Sequence, residues 1–131
     1  MKATELRIGN LVNYQLTDKL SDPKNWIEPM VVDAEDLRVL SLREYDDYSP
    51  IPLTEEWLKR FPFKEICRSD YQVKYLIEAG RSFINISFRS DGEICVFFNN
   101  IMIKHINSVH QLQNLYFAIT GEELTIKIIE P

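Results

Sequence analysis

The sequence predicts an α+β fold, in which an antiparallel β-meander of about four strands is covered by one long amphipathic helix. Two observations predict it. From Tyr71 to Ile106 short runs alternate apolar and polar residues, and turn-forming pairs such as Asp91-Gly92 separate the runs. From Val109 to Thr120 the apolar residues instead recur with the period of a helix. Strands followed by a helix that covers their apolar face are typical of an α+β domain.

Residues 1–53 are predicted to form a small, strand-rich N-terminal portion of the single domain 1–131. Leu11–Tyr14 and Met30–Asp33 have β-like composition, and the polar, proline-containing stretch between them is typical of a loop. Asp33 is a suitable N-cap for a short helix over Ala34–Leu40. A strand that continues through Leu42 is the alternative for this segment.

Residues 54–62 are predicted to form a short helix. Thr54 is a suitable N-cap, Glu55 and Glu56 favour the positive N-terminal end, and Pro62 stops the helix. Adjacent helical residues point about 100° apart, so these two carboxylates cannot share a proton across a cleft. The pair therefore indicates helix stabilisation, not acid–base chemistry.

Residues 63–131 are predicted to hold the meander, the long helix and a terminal strand, Leu124–Ile129, at a sheet edge. The isoleucines of the predicted strands align on one face, which the helix is positioned to cover. Phe83 and Phe97 fall on the opposite face, so the second face of the sheet also carries apolar side chains. The N-terminal portion is the available cover for that second face.

The helix over Val109–Thr120 is predicted with Ser108 as its N-cap and Gly121 as the residue after its C-terminus. Its side away from the apolar stripe carries no charged residue, which is typical of a helix covered on both sides. Either another part of the same chain covers this side, or a partner or second subunit does. The candidate contact residues for a partner lie on this helix side and in an acidic loop: His110, Gln113, Asn114, Phe117, Glu44, Asp46, Asp47 and Tyr48.

Composition narrows the classes of function. The chain has 131 residues and a formal net charge of −5, and this negative charge argues against binding to a nucleic-acid backbone. The sequence has no apolar run long enough to span a membrane and no signal-peptide core at its start, so we expect a cytoplasmic protein without a membrane partner. Cys67 and Cys95 lie far apart and are typical of small, reduced core residues.

No pattern of catalytic or ligand-binding residues appears. His105 and His110 are the only histidines, and no acid or thiol completes a recognised metal-ligand spacing around them. The nucleophile motif GxSxG and the glycine-rich phosphate loops are also absent. We therefore expect no enzyme activity, no metal and no cofactor.

Three segments carry a resemblance to a known family: ELRIGNLVNY, PIPLTEEWLKRF and VHQLQNLYFAITGEELTIK. In this order they resemble a family of small uncharacterised proteins encoded in phage, prophage and other mobile regions of gut anaerobic bacteria. Pro62 departs from the glycine that is usual there. The resemblance implies an accessory role but assigns no catalytic residue. The leading hypothesis is a non-enzymatic protein-interaction module, and the alternative is nucleic-acid binding through small-barrel-like N-terminal strands.

Overall fold

The computed structural model describes residues 6–15, 27–42 and 48–126. The chain divides into two compact units. The first consists of the residues up to Pro52 together with Ser108–Asn114, and the second of Leu53–Asn107 together with the residues from Leu115 onward. Among the described residues no helix is long and apolar enough to cross a lipid bilayer.

The first unit contains a three-stranded antiparallel sheet and a helix. Its elements are β1 (Leu11–Gln15), β2 (Ile27–Val31), α1 (Ala34–Leu42) and β3 (Tyr48–Ser49), and the strand order is β2-β1-β3. The strand-rich N-terminal portion is therefore confirmed. The segment after β2 forms helix α1 and not the alternative strand. The Asp33 carboxylate accepts a hydrogen bond from the Asp36 N–H at 2.9 Å and so caps the first turn of this helix. Glu44, Asp46 and Asp47 lie outside the described residues.

Helix α2 (Glu55–Arg60) forms where the sequence predicts it. The Thr54 hydroxyl accepts a hydrogen bond from the Trp57 N–H at 3.3 Å, which satisfies one of the first-turn donors that have no helical partner. Leu58 is fully buried within the second unit, and Phe61, also buried, ends the helix. A single buried face on so short a helix shows that packing, more than intrinsic propensity, stabilises it.

The second unit is built on a five-stranded antiparallel meander, which confirms the predicted fold class with one additional strand. The strands follow chain order across the sheet: β4 (Lys64–Arg68), β5 (Gln72–Ala79), β6 (Ser82–Arg89), β7 (Ile94–Phe98) and β8 (Ile101–Ile103). The additional strand is β4. It lies at an edge, all of its side chains are exposed, and its register shifts between Glu65 and Cys67, so it lacks the alternation that identifies a half-buried strand.

The register assigns every strand residue of this sheet to one of two faces, because directly opposed residues point to the same side. Tyr75, Ile86 and Val96 stand opposite one another on the buried core face. On the other side, a row runs across four strands and consists of Leu76, Asn85, Phe97 and Met102. The predicted placement of Phe83 and Phe97 opposite the isoleucines is therefore confirmed.

Helix α3 (Val109–Thr120) has the predicted bounds. Gly121 adopts a φ of 74°, and its N–H donates to the Phe117 carbonyl at 2.8 Å, which closes the C-terminus as the glycine predicts. The second half of α3 belongs to the same unit as the five-stranded sheet, and the predicted packing of the long helix on the sheet is confirmed. Of the predicted terminal strand, residues 124–126 are not in a strand, and the remainder lies outside the described residues.

Candidate functional site

The uncharged side of α3 is covered, within the first unit, by the segment that leads into β1. Gln113 is only 2% exposed, and its side-chain amide binds two backbone groups of that segment. Its Oε1 accepts a hydrogen bond from the Leu11 N–H at 2.7 Å, and its Nε2 donates to the Gly9 carbonyl at 3.4 Å. Gln113 therefore takes the place of a backbone partner for this segment.

Asn114 extends the same contact. Its Oδ1 accepts hydrogen bonds from Arg7 Nε at 2.8 Å and from Asn10 Nδ2 at 2.9 Å. Arg7 also donates to the Gln113 carbonyl at 3.2 Å, and Asn10 is fully buried. Side-chain amides can donate and accept at once, which is why an amide-rich face suits irregular backbone better than a charged one.

The uncharged side of α3 was predicted to be covered either by the same chain or by a partner. For part of the candidate interface, these contacts distinguish the two. His110 is 4% exposed, with its Nδ1 hydrogen-bonded to the Ser108 hydroxyl at 3.2 Å. For His110 and Gln113 the structure supports the covering by the same chain, because neither side chain reaches the surface. Asn114 is half-buried in its contacts with Arg7 and Asn10, whereas Phe117 is 37% exposed and stays a predicted contact. Tyr48 lies in β3, and its side chain is outside the described residues.

The histidines and cysteines do not assemble a site among the described residues. His105 is exposed and has a positive φ of 71°, and no group of three metal-ligating side chains occurs in the described ranges. Cys95 is buried as predicted, but Cys67 is exposed on the edge strand β4, so its prediction as a core residue is wrong. Cys67 is exposed because β4 lies at the sheet edge.

A different surface of the second unit has the features of a binding site. We call it the open face; it is the side of the five-stranded sheet that carries Ile66, Leu76, Phe83, Asn85, Phe97 and Met102. Three of its apolar side chains are about half exposed: Ile66 at 52%, Phe83 at 44% and Met102 at 46%. They come from strands β4, β6 and β8, so the exposed apolar surface extends across the whole width of the sheet.

Two adjoining hollows lie on the open face. One has a volume of about 180 Å³, and its lining includes Lys74, Ser87 and Phe97. The other has a volume of about 420 Å³ and includes Ile66, Leu76 and Phe83 in its lining. Asn85 and Asn100 line both hollows. The two hollows thus share an amide floor and have apolar walls, an arrangement typical of ligand-binding surfaces.

Asn85 is the polar centre of the open face. Its Oδ1 is buried and accepts no hydrogen bond from any described residue. Buried oxygens of this kind are rare in folded proteins, because the lost hydration is not replaced. Its neighbour Ser87, one position along the same face, is by contrast satisfied by a hydrogen bond to Gln72 Oε1 at 3.1 Å.

A second polar cluster in this unit connects α2 to the sheet. The Tyr75 hydroxyl donates to Glu55 Oε1 at 2.6 Å, and Arg68 pairs with both Glu55 and Glu65. The hydrogen bond from Tyr75 holds the pKa of Glu55 below its usual value, and burial together with Glu55 raises the pKa of Tyr75 to about 12. A tyrosine with this pKa stays protonated near neutral pH, so its hydroxyl remains a donor to Glu55 and the cluster tethers α2 to the sheet.

We expect Tyr75→Phe to lower the free energy of unfolding by about 1 kcal/mol at neutral pH, because Glu55 loses a donor to its charged form. Glu55 has a folded pKa below the usual 4.5, so its contribution is complete above that pH and is lost as the pH falls through the folded pKa. The difference between Tyr75→Phe and wild type should therefore shrink on acidification in urea unfolding. A difference that stays constant with pH would show that the tether does not depend on the Glu55 charge.

Comparison of the chain with models of protein families, with curated proteins and with solved structures found no match. The resemblance to phage and mobile-element proteins accordingly stays a prediction.

The sequence predicts only part of the open face. Strand alternation placed Phe83 and Phe97, but Asn85 looked like an ordinary polar residue of a strand, and only the register shows that it lies between Leu76 and Phe97.

Proposed function

We propose that this protein is a non-enzymatic protein-interaction module that binds its partner through the open face of the five-stranded sheet. The observation that carries the proposal is the exposure of Ile66, Phe83 and Met102 on one face. Contiguous exposed apolar surface of this kind marks interaction sites, because a folded chain otherwise gains by covering it.

The composition of the face favours a protein as the partner. Aromatic residues and methionine are enriched at the cores of protein interfaces, and charged residues are depleted there. Among the described residues that line the two hollows, Lys74 is the only charged one. Other charges on this side, such as Lys64 and Glu78, belong to exposed positions opposite Leu76 and Phe83. Apart from Lys74, the centre of the face is apolar and amide, and the charges lie at its margin.

Nucleic-acid binding through the N-terminal strands has no comparable support. Binding to phosphates requires cations that are available to replace counterions. The described cations of the first unit are Arg7 and Arg38; Arg7 bonds to Asn114, and Arg38 pairs with Glu35 at 2.5 Å. The proposed partner is therefore a protein. An accessory role in a phage or mobile element rests on the sequence resemblance alone.

The test compares two double variants of the full-length chain in affinity capture from bacterial lysate, with mass-spectrometric identification of the bound proteins. Phe83→Ser/Met102→Ser changes the open face, and Ile8→Ser/Val31→Ser removes exposed apolar side chains from the first unit as a matched control. We expect a partner that wild type captures reproducibly to be reduced at least about tenfold by the first variant, because truncating a central interface residue commonly costs more than about 1 kcal/mol. The control should capture it as wild type does.

Two results would contradict the proposal. One is equal capture of the partner by the open-face variant and by wild type. The other is equal loss in both double variants, since that outcome would reflect a general loss of apolar surface. Circular dichroism and thermal unfolding of each variant verify that the fold is retained. Sedimentation velocity on the wild type shows whether the captured partner is a second copy of this chain.

A further inference from the structure

We infer that Asn99 is a positioning residue for partner binding, because its backbone and side chain together hold Phe83 in place at the start of β6. This inference rests on the proposed function and adds to it a residue that acts through Phe83. Its basis is that Asn99 binds both backbone groups of Phe83 at the point where the neighbouring strand β7 has ended.

Phe83 lies one residue beyond the paired part of β6 and β7. The register between these strands ends with Ile84 opposite Phe98, and the chain then leaves β7 through the turn Asn99-Asn100. The N–H and the carbonyl of Phe83 both make their hydrogen bonds on the β7 side. In a regular sheet a continuing strand would supply the partners there. An exposed strand end without such partners opens readily.

Asn99 supplies both partners. Its N–H donates to the Phe83 carbonyl at 3.1 Å, and its Oδ1 accepts a hydrogen bond from the Phe83 N–H at 3.0 Å. The side-chain oxygen thus takes the place of the Asn99 carbonyl, which would accept from Phe83 in a regular antiparallel pair. The Asn99 Nδ2 also donates to Ser82 Oγ at 3.2 Å, which fixes the orientation of the amide.

Two requirements meet at residue 99. Its φ of 49° lies in the left-handed region, which asparagine and aspartate tolerate better than most residues. The Phe83 N–H in addition needs an acceptor on a short side chain, which asparagine and aspartate also provide. Glycine would satisfy the first requirement and fail the second.

The consequence for the open face is a fixed aromatic residue. Phe83 is 44% exposed and borders the larger hollow, together with Asn99 and Asn100. Binding costs less conformational entropy when the residue that makes contact is already held in its bound position. The hydrogen bonds of Asn99 therefore favour binding of the partner through the placement of Phe83.

Amide hydrogen exchange of the isotope-labelled full-length chain, measured by NMR, tests whether Asn99 holds Phe83. We expect Asn99→Gly to speed exchange of the Phe83 N–H about fivefold, the factor that one ordinary hydrogen bond supplies. Asn100→Gly is the matched control, because Asn100 also has a positive φ, of 68°, whereas the hydrogen bonds to Phe83 come from Asn99. Asn99→Asp keeps an acceptor oxygen and should retain the wild-type exchange rate. Equal Phe83 exchange in wild type, Asn99→Gly and Asn100→Gly would overturn the inference.

Capture of the partner from bacterial lysate tests whether this placement matters for binding. Asn99→Gly should reduce the captured partner about fivefold, since the Phe83 placement that one hydrogen bond maintained is then paid for on binding. Asn99→Asp should restore capture. If Phe83 exchange accelerates in Asn99→Gly but capture equals that of wild type, Asn99 supports the hairpin alone and the inference falls. Thermal unfolding of both variants verifies that the fold is retained.

The inference and the proposed function fail in different ways. If Phe83→Ser/Met102→Ser loses the partner but Asn99→Gly captures it fully, the open face stands as the binding surface and the role of Asn99 does not. If Phe83→Ser/Met102→Ser captures the partner as wild type does, the proposed function falls, whatever the exchange rate of the Phe83 amide.

Discussion

Replacing Gln113 with leucine is expected to lower the free energy of unfolding by about 2–4 kcal/mol, among the larger effects that one substitution produces. Leucine fills a similar space but makes no hydrogen bond. The Leu11 N–H would lose its acceptor at 2.7 Å, and the Gly9 carbonyl would lose its donor at 3.4 Å. The side chain is 2% exposed, so water cannot replace Gln113 unless the segment moves away from the helix.

Urea unfolding followed by circular dichroism measures this change. Ala118→Leu is the control, because it adds a leucine to an exposed position of the same helix and leaves the amide contacts intact. We expect the control to stay within about 0.5 kcal/mol of wild type. Equal unfolding free energies for Gln113→Leu and Ala118→Leu would mean that the segment from Gly9 to Leu11 does not depend on Gln113.

Asn85→Leu is expected to raise the free energy of unfolding by about 1–2 kcal/mol, although most substitutions destabilise a protein. No described residue donates to the buried Asn85 Oδ1, and this cost disappears when the amide is replaced by a hydrocarbon of similar size. Leucine would also add apolar contact with Leu76 and Phe97, its neighbours in the row across the sheet. Binding sites often retain such costs, since the stabilising residue lacks the group needed for recognition.

Ser87→Ala is the matched control for this prediction, because Ser87 lies on the same strand and face but donates to Gln72 Oε1. Removing that hydroxyl leaves Gln72 with one hydrogen bond fewer and should lower the stability by about 1 kcal/mol. Thermal and urea unfolding should therefore move in opposite directions for the two variants. If Asn85→Leu instead lowered the free energy of unfolding as much as Ser87→Ala, the Asn85 oxygen would have a hydrogen-bond donor in solution, which would contradict the prediction.

The predicted elements that formed were those defined by near neighbours in sequence. Helix α2 needs Thr54 at its start, and α3 needs Gly121 at its end; each terminal residue acts through a hydrogen bond to a group three or four positions away. The meander is similarly local, since each hairpin joins consecutive strands. Its last turn has Asn99 and Asn100 both at positive φ, which asparagine tolerates better than most residues. Such short-range rules can be applied to a sequence directly.

Strand β4 shows where those rules fail. Its residues alternate in neither charge nor hydrophobicity, and all are exposed, so no face pattern marks it as a strand. It forms because β5 supplies hydrogen-bonding partners along one side, with the register shift at Glu65 and Cys67 accommodating the mismatch. Pairing with a neighbour is a property of the fold, and a single sequence segment does not contain it.

The sequence by itself determined that this chain is α+β, where α2 and α3 begin and end, and that the uncharged side of α3 is covered. Only the tertiary structure decided what covers Gln113, because its partners, Gly9 and Leu11, lie about a hundred residues away in the chain. The structure likewise decided that Asn85 stands between Leu76 and Phe97 with a buried oxygen to which no residue in the described ranges donates. Hydrogen-bond satisfaction depends on which groups meet in space, and their meeting is set by long-range register and packing.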